Sequence, residues 1–276
     1  MKKIILLLAC AFFCFADASE ACTLFAANGD RTKDGGSLIV KNRDEKPSEQ
    51  TLMIDKKGKY KFYGLYAKSD GKWSLKGGVN EKGLAVVTAA ASSIPKSVRN
   101  NQSTKGALKR LLANCSTVEQ ALSQGEYFSR PQFIMIADKD EIAYVEVGLN
   151  NYAVKRVKNN VLSHTNHYLL QSTSEGNIKI SASSKYRLNR IENLLKTKKQ
   201  FTLDDFIEFS KDRKGGDAKA IWRNGLSEKG SQSLAVLAIH IKKDGDADIY
   251  VRLRRKPEDK GNEDVVRIAG KDIFGK

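Results

Sequence analysis

Short apolar runs separated by glycine, asparagine and aspartate predict β-strands in the first part of the chain. The runs cover residues 23–27, 37–41, 60–66 and 84–89, and residues 77–83 before the last run predict a turn. Residues 84–89 are small and apolar, which is typical of a buried strand.

Apolar residues at helical spacing follow these strands. One helix is predicted by Ala107, Leu108, Leu111 and Leu112. Ser116 and Glu119 have the spacing of a capping box, which predicts the start of a second, short helix.

Strands and helices alternate again in the second half. Residues 133–137 and 142–147 predict a hairpin, residues 152–157 a third strand, and residues 234–241 with 248–253 a closing hairpin. Strand groups separated by helix pairs predict a layered α+β architecture.

The helices of the second half are predicted from caps and apolar faces. Ser183 or Ser184 is expected to cap the first helix, and Thr202 the second. The faces expected to be buried are Leu188, Ile191 and Leu195 in the first, and Phe206, Ile207 and Phe209 in the second.

The first residues of the chain have the pattern of a cleaved signal peptide. Lys2 and Lys3 precede an apolar run over residues 4–15, and small residues at Ser19 and Ala21 predict a cut after Ala21. We therefore expect a signal peptide at residues 1–21, a single domain at 22–276, and a periplasmic or secreted protein. The alternative is a lipidated Cys10, which would leave a very short apolar core.

A cut after Ala21 would place Cys22 at the N-terminus, where a thiol and a free α-amino group share one residue. Such an amine titrates near neutral pH and can take the thiol proton, so nucleophile and base are combined. Cys115 is interpreted as a buried small apolar residue, although a disulfide between the two remains an alternative.

The charge of the chain is strongly basic, at +16 over 276 residues. This charge permits association with anionic surfaces, but the sequence contains no nucleic-acid-binding motif. We expect a small-molecule amide substrate, no nucleic acid, and at most weak association with an anionic envelope surface. The sequence leaves the oligomeric state open.

Histidine offers two weaker alternatives. His164 and His167 have a chelating spacing, but a third ligand at suitable spacing is missing, so we expect no metal and no cofactor. Cys115 with His164 or His240 would suit a papain-like hydrolase, but the local sequence has no such signature.

Five motifs occur in the order found in N-terminal-nucleophile linear amide hydrolases, and the chain resembles that family. They are Cys22-Thr23-Leu24-Phe25-Ala26-Ala27, Lys41-Asn42-Arg43-Asp44, Val79-Asn80-Glu81-Lys82-Gly83-Leu84, His164-Thr165-Asn166-His167 and Ser184-Lys185-Tyr186-Arg187. Choloylglycine hydrolases, penicillin V acylases and isopenicillin-N acyltransferase-like hydrolases belong to this group. The segment Ile221-Trp222-Arg223-Asn224-Gly225 is similar to the last branch. The resemblance implies a four-layer αββα sandwich with two antiparallel sheets.

The resemblance also implies roles for the residues around the nucleophile Cys22. Asp44 would hydrogen-bond the α-amine and orient it. Lys41 stands where bile-salt hydrolases carry an arginine beside the thiol, with Arg43 as the neighbouring alternative.

Two further roles fall on the second half of the chain. Asn166 would donate its side-chain amide to the oxyanion, and Arg187, with Arg190 as the alternative, would be the active-site arginine. Where bile-salt hydrolases carry a second oxyanion asparagine, this chain has Ala90, so backbone N–H groups near Ala89 and Ala90 are the expected substitutes.

The predicted function is therefore hydrolysis of a linear amide through a thioester. The departure at Ala90 favours a small N-acyl or peptide-like amide over bile salts and penicillin V. Two alternatives remain: transfer of the acyl group to an amine, and a catalytically silent envelope-binding protein on the same fold.

Overall fold

The computed structural model describes residues 21–100 and 106–275, which form two antiparallel sheets covered by helices. The strands are β1 (Ala21–Asn28), β2 (Ser37–Glu45), β3 (Gln50–Asp55), β4 (Phe62–Ser69), β5 (Lys72–Asn80), β6 (Ala85–Ala90), β7 (Gln132–Ala137), β8 (Ile142–Val147), β9 (Tyr152–Val157), β10 (Val161–His164), β11 (Gln232–Ile241), β12 (Ala247–Leu253) and β13 (Asp264–Ala269). The α-helices are α1 (Lys96–Asn100), α2 (Ala107–Asn114), α3 (Val118–Leu122), α4 (Ala182–Leu194), α5 (Leu203–Ser210), α6 (Gly216–Lys219) and α7 (Gly270–Phe274).

Each sheet places one strand of the site near its middle. The six-stranded sheet has the order β10-β1-β2-β11-β12-β13, and the seven-stranded sheet has the order β3-β4-β5-β6-β7-β8-β9. All paired strands are antiparallel. Strands β1 and β2 are almost wholly buried, which explains why their sequences are apolar without a strict alternation.

The main core lies between the two sheets. Alternate residues of β1, including Leu24 and Ala26, point into it, whereas Phe25 and Ala27 face the helices on the outer side. Gly77 of β5 allows a close approach, because an added Cβ would lie 3.0 Å from Leu237 Cδ2 of the opposite sheet and 2.9 Å from Val87 Cγ1.

Helices cover the outer face of each sheet. Helices α4 and α5 pack on β1, β2 and β11, while α2 and α3 pack on β5, β6 and β7. A second cluster of buried apolar side chains lies under α2 and α3, and a third under α4 and α5. The fold is therefore an αββα sandwich of four layers, as the sequence predicted.

The structure confirms the predicted strands and helices but corrects several boundaries. The predicted turn at 77–83 is wrong in its first half, because Gly77 to Asn80 continue β5. Helix α3 is capped by Thr117, whose hydroxyl accepts from Gln120 N at 3.1 Å. Helix α4 begins one residue before Ser183, because Ser181 accepts from Ser184 N at 3.1 Å. Neighbouring serine and threonine residues can each cap a helix, so the sequence does not show which of them is the N-cap. Only the backbone geometry does.

The predicted signal peptide, residues 1–21, lies outside the described residues except for Ala21. Ala21 opens β1, is buried, and pairs with Asp44. Among the described residues, no helix is long and apolar enough to cross a membrane.

Candidate active site

Cys22 lies in β1 and points between the two sheets, at the wall of a cleft of about 500 Å³. Its side chain is on the inter-sheet face because Cys22, Leu24 and Ala26 alternate with residues that face the helices. Cys22 is only 6% exposed and pairs with Arg43 of β2. The thiol is therefore at the inner end of the cleft.

The cleft opens because β5 separates from β6. These two strands pair only from Gly77 to Val79 and from Ala85 to Val87, and β5 bulges opposite Leu65 and Tyr66 of β4. Beyond that point, residues 73–76 and 88–90 form opposite walls of the cleft. A bulge at this place widens a sheet locally, which is a common feature next to active sites.

The N–H group of Cys22 donates to the side chain of Asn166. The distance from Cys22 N to Asn166 Oδ1 is 2.8 Å, although the two residues are 144 positions apart. The amide nitrogen of Asn166 donates to Ala90 O at 2.9 Å. Asn166 thus connects β1 to the end of β6 and lies across the inner end of the cleft.

Arg187 holds the other polar group of Cys22. Its Nη1 donates to Cys22 O and, at 2.9 Å, to Thr23 Oγ1, while its Nη2 donates to Asn166 Oδ1 at 3.0 Å. Arg187 is fully buried, and this burial lowers its pKa to about 10. Because that pKa is still far above 7, the side chain is a permanent cation at neutral pH. Arg190, the alternative from the sequence, instead binds Asp212 at the partly exposed side of α4.

Asp44 lines the same cleft. Among the described residues, its carboxylate contacts Ser233 and Arg223 rather than the backbone nitrogen of Cys22. Its Oδ1 accepts from Ser233 Oγ at 2.7 Å, and its Oδ2 lies 3.1 Å from Arg223 Nε. Those last two atoms are close enough for an ion pair, yet neither has an aligned hydrogen bond within the described residues. Register explains this position, because Asp44 pairs with Ala21 while Arg43 pairs with Cys22.

Lys41 and Arg43 lie on the cleft side of β2. The ammonium group of Lys41 donates to Thr88 O, in the stretch of β6 that β5 does not cover. Arg43 donates to Gln50 Oε1 at 2.9 Å and is 4% exposed. Both cations line the cleft that contains Cys22.

The end of β6 presents backbone N–H groups to the cleft. In an antiparallel sheet, alternate residues direct both backbone polar groups to the same side. Leu84 O accepts from Asn80 N in the turn between β5 and β6. By this alternation the backbone N–H and C=O groups of Thr88 and Ala90 also point to the β5 side, where β5 no longer pairs with β6. The N–H of Ala90 therefore points into the cleft, where it can act as a second hydrogen-bond donor to a bound group, beside the side-chain amide of Asn166.

A buried carboxylate supports the segment that carries Asn166. Glu146 Oε1 lies 2.8 Å from His164 Nε2 and accepts from Leu169 N at 2.7 Å, and its Oε2 accepts from Leu170 N and from Thr173. Burial acts to raise the pKa of Glu146, but these donors outweigh it and hold the pKa below its ordinary value. The carboxylate thus fixes both ends of the loop after β10.

His167 belongs to a neighbouring network. Its Nδ1 lies 2.8 Å from Ser184 Oγ, which in turn accepts from Asn166 N at 3.0 Å. Burial lowers the pKa of His167 to about 4, so the ring is neutral at pH 7. Its role is to hold the start of α4 against the Asn166 loop.

The sequence-predicted site residues therefore meet in one place, although by different contacts. Cys22, Asn166 and Arg187 are joined directly by hydrogen bonds, and Lys41 and Asp44 line the cleft with them. Arg223 had appeared only within a motif, and Ser233 and Glu146 had not been singled out from the sequence. Buried charged residues inside apolar strands, such as Glu146 in β8, are the signal that was available.

The other sequence alternatives fare differently. Cys22 and Cys115 are both free thiols, so a disulfide between them is absent from the described structure. In residues 21–100 and 106–275, no group of three His, Cys, Asp or Glu side chains is placed to hold a metal. A larger groove, about 1020 Å³, lies along β10 and the end of α4, away from Cys22. We place the candidate site at Cys22, because that cleft contains the residue predicted from the sequence to be the nucleophile.

Comparison with known proteins gives one family and a shared fold. The pattern of the family described as acyl-coenzyme A:6-aminopenicillanic acid acyl-transferase matches residues 31–255. No curated protein sequence matches the chain. A variant of the conjugated bile acid hydrolase from Clostridium perfringens is 14% identical with a TM-score of 0.57, covering 91% of this chain and 93% of that chain. Penicillin V acylase from Agrobacterium tumefaciens is 17% identical with a TM-score of 0.59, covering 90% of this chain and 86% of that chain.

Proposed function

The chain belongs to the acyl-coenzyme A:6-aminopenicillanic acid acyl-transferase family, and we propose that it is an exported N-terminal-cysteine amidohydrolase acting on a linear C–N amide bond. The family match begins at residue 31, after Cys22, so the choice of nucleophile rests on the geometry of the site. The observation that carries the proposal is the hydrogen bonding of the Cys22 backbone. The N–H of Cys22 donates to the side chain of Asn166, and its C=O accepts from the side chain of Arg187.

Hydrogen bonds from two distant side chains to one backbone residue are unusual inside a strand. Strand residues normally satisfy their backbone groups through the ladder, so side chains from distant segments are not needed. Here a fully buried guanidinium and an amide converge on one residue, and holding a buried charge is costly. Precise placement of Cys22 is the benefit that we infer.

Acylation begins when the α-amine of Cys22, freed by a cut after Ala21, accepts the thiol proton. The thiolate attacks the substrate carbonyl carbon, and the negative oxygen is stabilised by the second N–H of the Asn166 amide and by the Ala90 N–H. The C–N bond then breaks, and the ammonium group returns the proton to the leaving nitrogen.

Deacylation follows with water. The amine takes a proton from water as the water oxygen attacks the thioester carbonyl. The C–S bond then breaks, the ammonium group returns its proton to the leaving thiolate, and the carboxylic acid is released. Lys41 and Arg43 line the same cleft as Cys22, so the thiolate and the negative oxygen would form in a cleft that contains two cationic side chains.

Asp44 fits the orienting role after the cut. Its Oδ2 is buried and has acceptor capacity left, since no hydrogen bond to it is aligned among the described residues. The strand partner of Asp44 is Ala21. After the cut, the new α-amine of Cys22 stands next to that position and is a suitable donor to Oδ2.

Acyl transfer to an amine is the second candidate, because acyl transfer is what the family's description names. It shares every step up to the thioester and differs only in the acceptor. Supplying a small primary amine and measuring the ratio of amide to acid products distinguishes the two.

The first test is the intact mass of the exported protein with N-terminal sequencing. A chain that starts at an unmodified Cys22 supports the proposal, whereas a start elsewhere or a lipid on Cys10 refutes it. A panel of N-acyl amides follows, with Cys22→Ala expected to lose turnover and Cys115→Ser expected to keep it. Turnover by Cys22→Ala at the wild-type rate would contradict the assignment of the nucleophile.

A further inference from the structure

Two guanidinium groups and one carboxylate lie buried together beneath Cys22. Asp44 is 1% exposed, Arg187 0% and Arg223 7%. Asp44 Oδ2 is 3.1 Å from Arg223 Nε, and Arg187 donates a hydrogen bond to Cys22 O. The cluster therefore contains more positive than negative charge next to the N-terminal residue.

Arg223 is fixed by neutral groups apart from this one carboxylate. Its backbone N donates to Ser233 Oγ at 2.9 Å, and its backbone O accepts from Ser233 N at 2.9 Å. Its Nη2 donates to Ser231 Oγ at 2.6 Å and its Nη1 to Ala218 O at 3.1 Å. The guanidinium is thus held in place whether or not Asp44 bonds to it.

Asp44 is held on its other oxygen by a feature of the sheet. The register of β11 against β2 shifts between Ser233 and Ala235, and Ser233 at this irregularity donates to Asp44 Oδ1 at 2.7 Å. The Oδ2 atom has no aligned hydrogen bond within the described residues, and the same holds for Arg223 Nε. Buried acceptors are rarely left without a donor, so Oδ2 is available to a third group.

We propose that Arg223 is a positioning residue that shares Asp44 with the N-terminal amine and thereby keeps this amine neutral at working pH. The inference rests on the proposed function, because the amine exists only if the chain is cut after Ala21. A carboxylate alone beside the amine would favour ammonium, and ammonium cannot accept the thiol proton. A guanidinium that shares the carboxylate counteracts that effect while the carboxylate still orients the amine.

Cations outnumber carboxylates around the N-terminal residue. Lys41, Arg43, Asp44 and Glu45 of β2 line the cleft with Cys22, Arg187 of α4 binds Cys22 O, and Arg223 after α6 lies beside Asp44. The other titratable groups that line the cleft are Lys76 of β5, Arg99 of α1, Lys109 of α2 and Arg130 before β7. Of the cations, Arg223 alone lies within ion-pair distance of Asp44 among the described residues. Its removal is therefore the change that should free the carboxylate for the amine.

The test measures the pKa of the amine directly, without substrate. The reference protein is the exported Cys22→Ser chain, which keeps the α-amine and removes the thiol that is coupled to it. The amine is acetylated competitively with acetic anhydride over a range of pH, and the extent of acetylation, measured by mass spectrometry, gives the pKa of the amine. We expect Arg223→Gln to raise the amine pKa by about one unit, and Arg223→Lys to leave it near the reference. With Cys22 present, the acidic limb of the kcat/KM profile should move to higher pH by the same amount in Arg223→Gln.

Arg190→Gln is the matched control, because it removes another arginine–aspartate pair, with Asp212, outside the cleft. It should leave the amine pKa and the pH profile unchanged. Ser231→Ala keeps the charge of Arg223 but removes one hydrogen-bond partner of its guanidinium group. A smaller rise of the amine pKa is therefore expected. That variant carries the test if Arg223→Gln does not fold.

The outcomes separate the two ideas. An unchanged amine pKa in Arg223→Gln, or in Ser231→Ala if it must stand in, overturns the inference and leaves the proposed function intact. Equal shifts in Arg223→Gln and Arg223→Lys would assign the effect to packing and also overturn it. A chain that does not start at residue 22, which the mass alone reveals, overturns both.

Discussion

At the scale of single residues, Arg187 is the most constrained side chain of the site. It is fully buried and donates to a carbonyl, a hydroxyl and an amide oxygen without a carboxylate among these partners. Burying a cation in this way opposes folding, as its lowered pKa of about 10 reflects. A residue kept under such a cost is expected to matter for the placement of Cys22.

Arg187→Lys should therefore lower turnover although the charge is kept. A lysine cannot reach Cys22 O, Thr23 Oγ1 and Asn166 Oδ1 together, because it lacks the planar fork of arginine. We expect kcat to fall by about 10²-fold, of the order seen when an oxyanion donor is misplaced, while circular dichroism remains native. Arg190→Lys on the exposed side of α4 is the control, and an equal loss in both would argue against a specific role.

His167 predicts how stability depends on pH. Its pKa in the folded protein is about 4, against an ordinary 6.5, because burial disfavours the charged ring. The folded state thus favours the neutral form, and this contribution is fully present above pH 6.5 and lost as the pH falls towards 4.

Between pH 7 and pH 5 this group should cost the wild type about 2 kcal/mol of unfolding free energy. His167→Gln cannot titrate but can still accept from Ser184, so its stability should change less over the same range. Urea unfolding of both proteins at the two pH values measures the difference. Parallel pH dependence of the two would show that His167 is not the group responsible.

At the scale of elements, the separation of β5 from β6 creates the site. The same strand β6 is fully paired with β7 but is left open on its other side beyond Val87. Carbonyls there are taken by Lys41 and Asn166, which leaves N–H groups directed into the cleft. Under the proposed function, this open strand edge would bind the substrate oxygen.

Proline substitutions in β6 test this arrangement. Ala90→Pro removes an N–H that faces the cleft, so the ladder to β7 should survive while turnover falls about 10²- to 10³-fold. Ala89→Pro removes an N–H of the β7 ladder and should destabilise the fold instead. Thermal unfolding together with kcat distinguishes them, and full activity in a folded Ala90→Pro protein would exclude this N–H from the oxyanion site.

At the scale of the whole molecule, the site depends on the packing of two sheets. Cys22 and the outer wall of its cleft belong to different sheets, so the inter-sheet core sets the width of the cleft. Leu24, two residues after Cys22 on the same face of β1, is 0% exposed in that core.

Leu24→Ala should cost about 3 kcal/mol of unfolding free energy, because it leaves a cavity between the sheets. Val154→Ala in the outer strand β9 is the control, since Val154 is 39% exposed and its truncation should cost little. Urea unfolding measures both. Equal losses in the two variants would contradict the view that the inter-sheet core carries the stability near the site.

The order of elements was largely predictable from local pattern. Helix α5 shows why, because its Thr202 cap, the Asp205 that completes the capping box and its buried Phe206 are all encoded within a few residues. The cap of α3 was misplaced by one residue and that of α4 by two or three, because neighbouring serines and threonines have the same capping chemistry. Strands β3, β5, β10 and β13 were not predicted; in β10, residues 161–164 are too short and mixed to give a pattern.

Apart from Cys22, which follows from the predicted cleavage site, the site residues were predictable only where a resemblance supplied them. Asn166 and Arg187 lie 144 and 165 positions from Cys22, and no local pattern connects such residues. Arg223 and Glu146 could not be assigned to the site from sequence, because their importance comes from the carboxylate or histidine that the fold brings to them.

The sequence by itself determined the basic charge and predicted most of the strands and the longer helices, because these depend on composition or on residues close together in the chain. The cleavage site before Cys22 stays a prediction. The tertiary structure alone decided which face Cys22 points to, where β5 leaves β6, and that Asp44 lies beside Arg223. These features depend on register and sheet packing, in which a shift of one residue would turn every side chain to the other face.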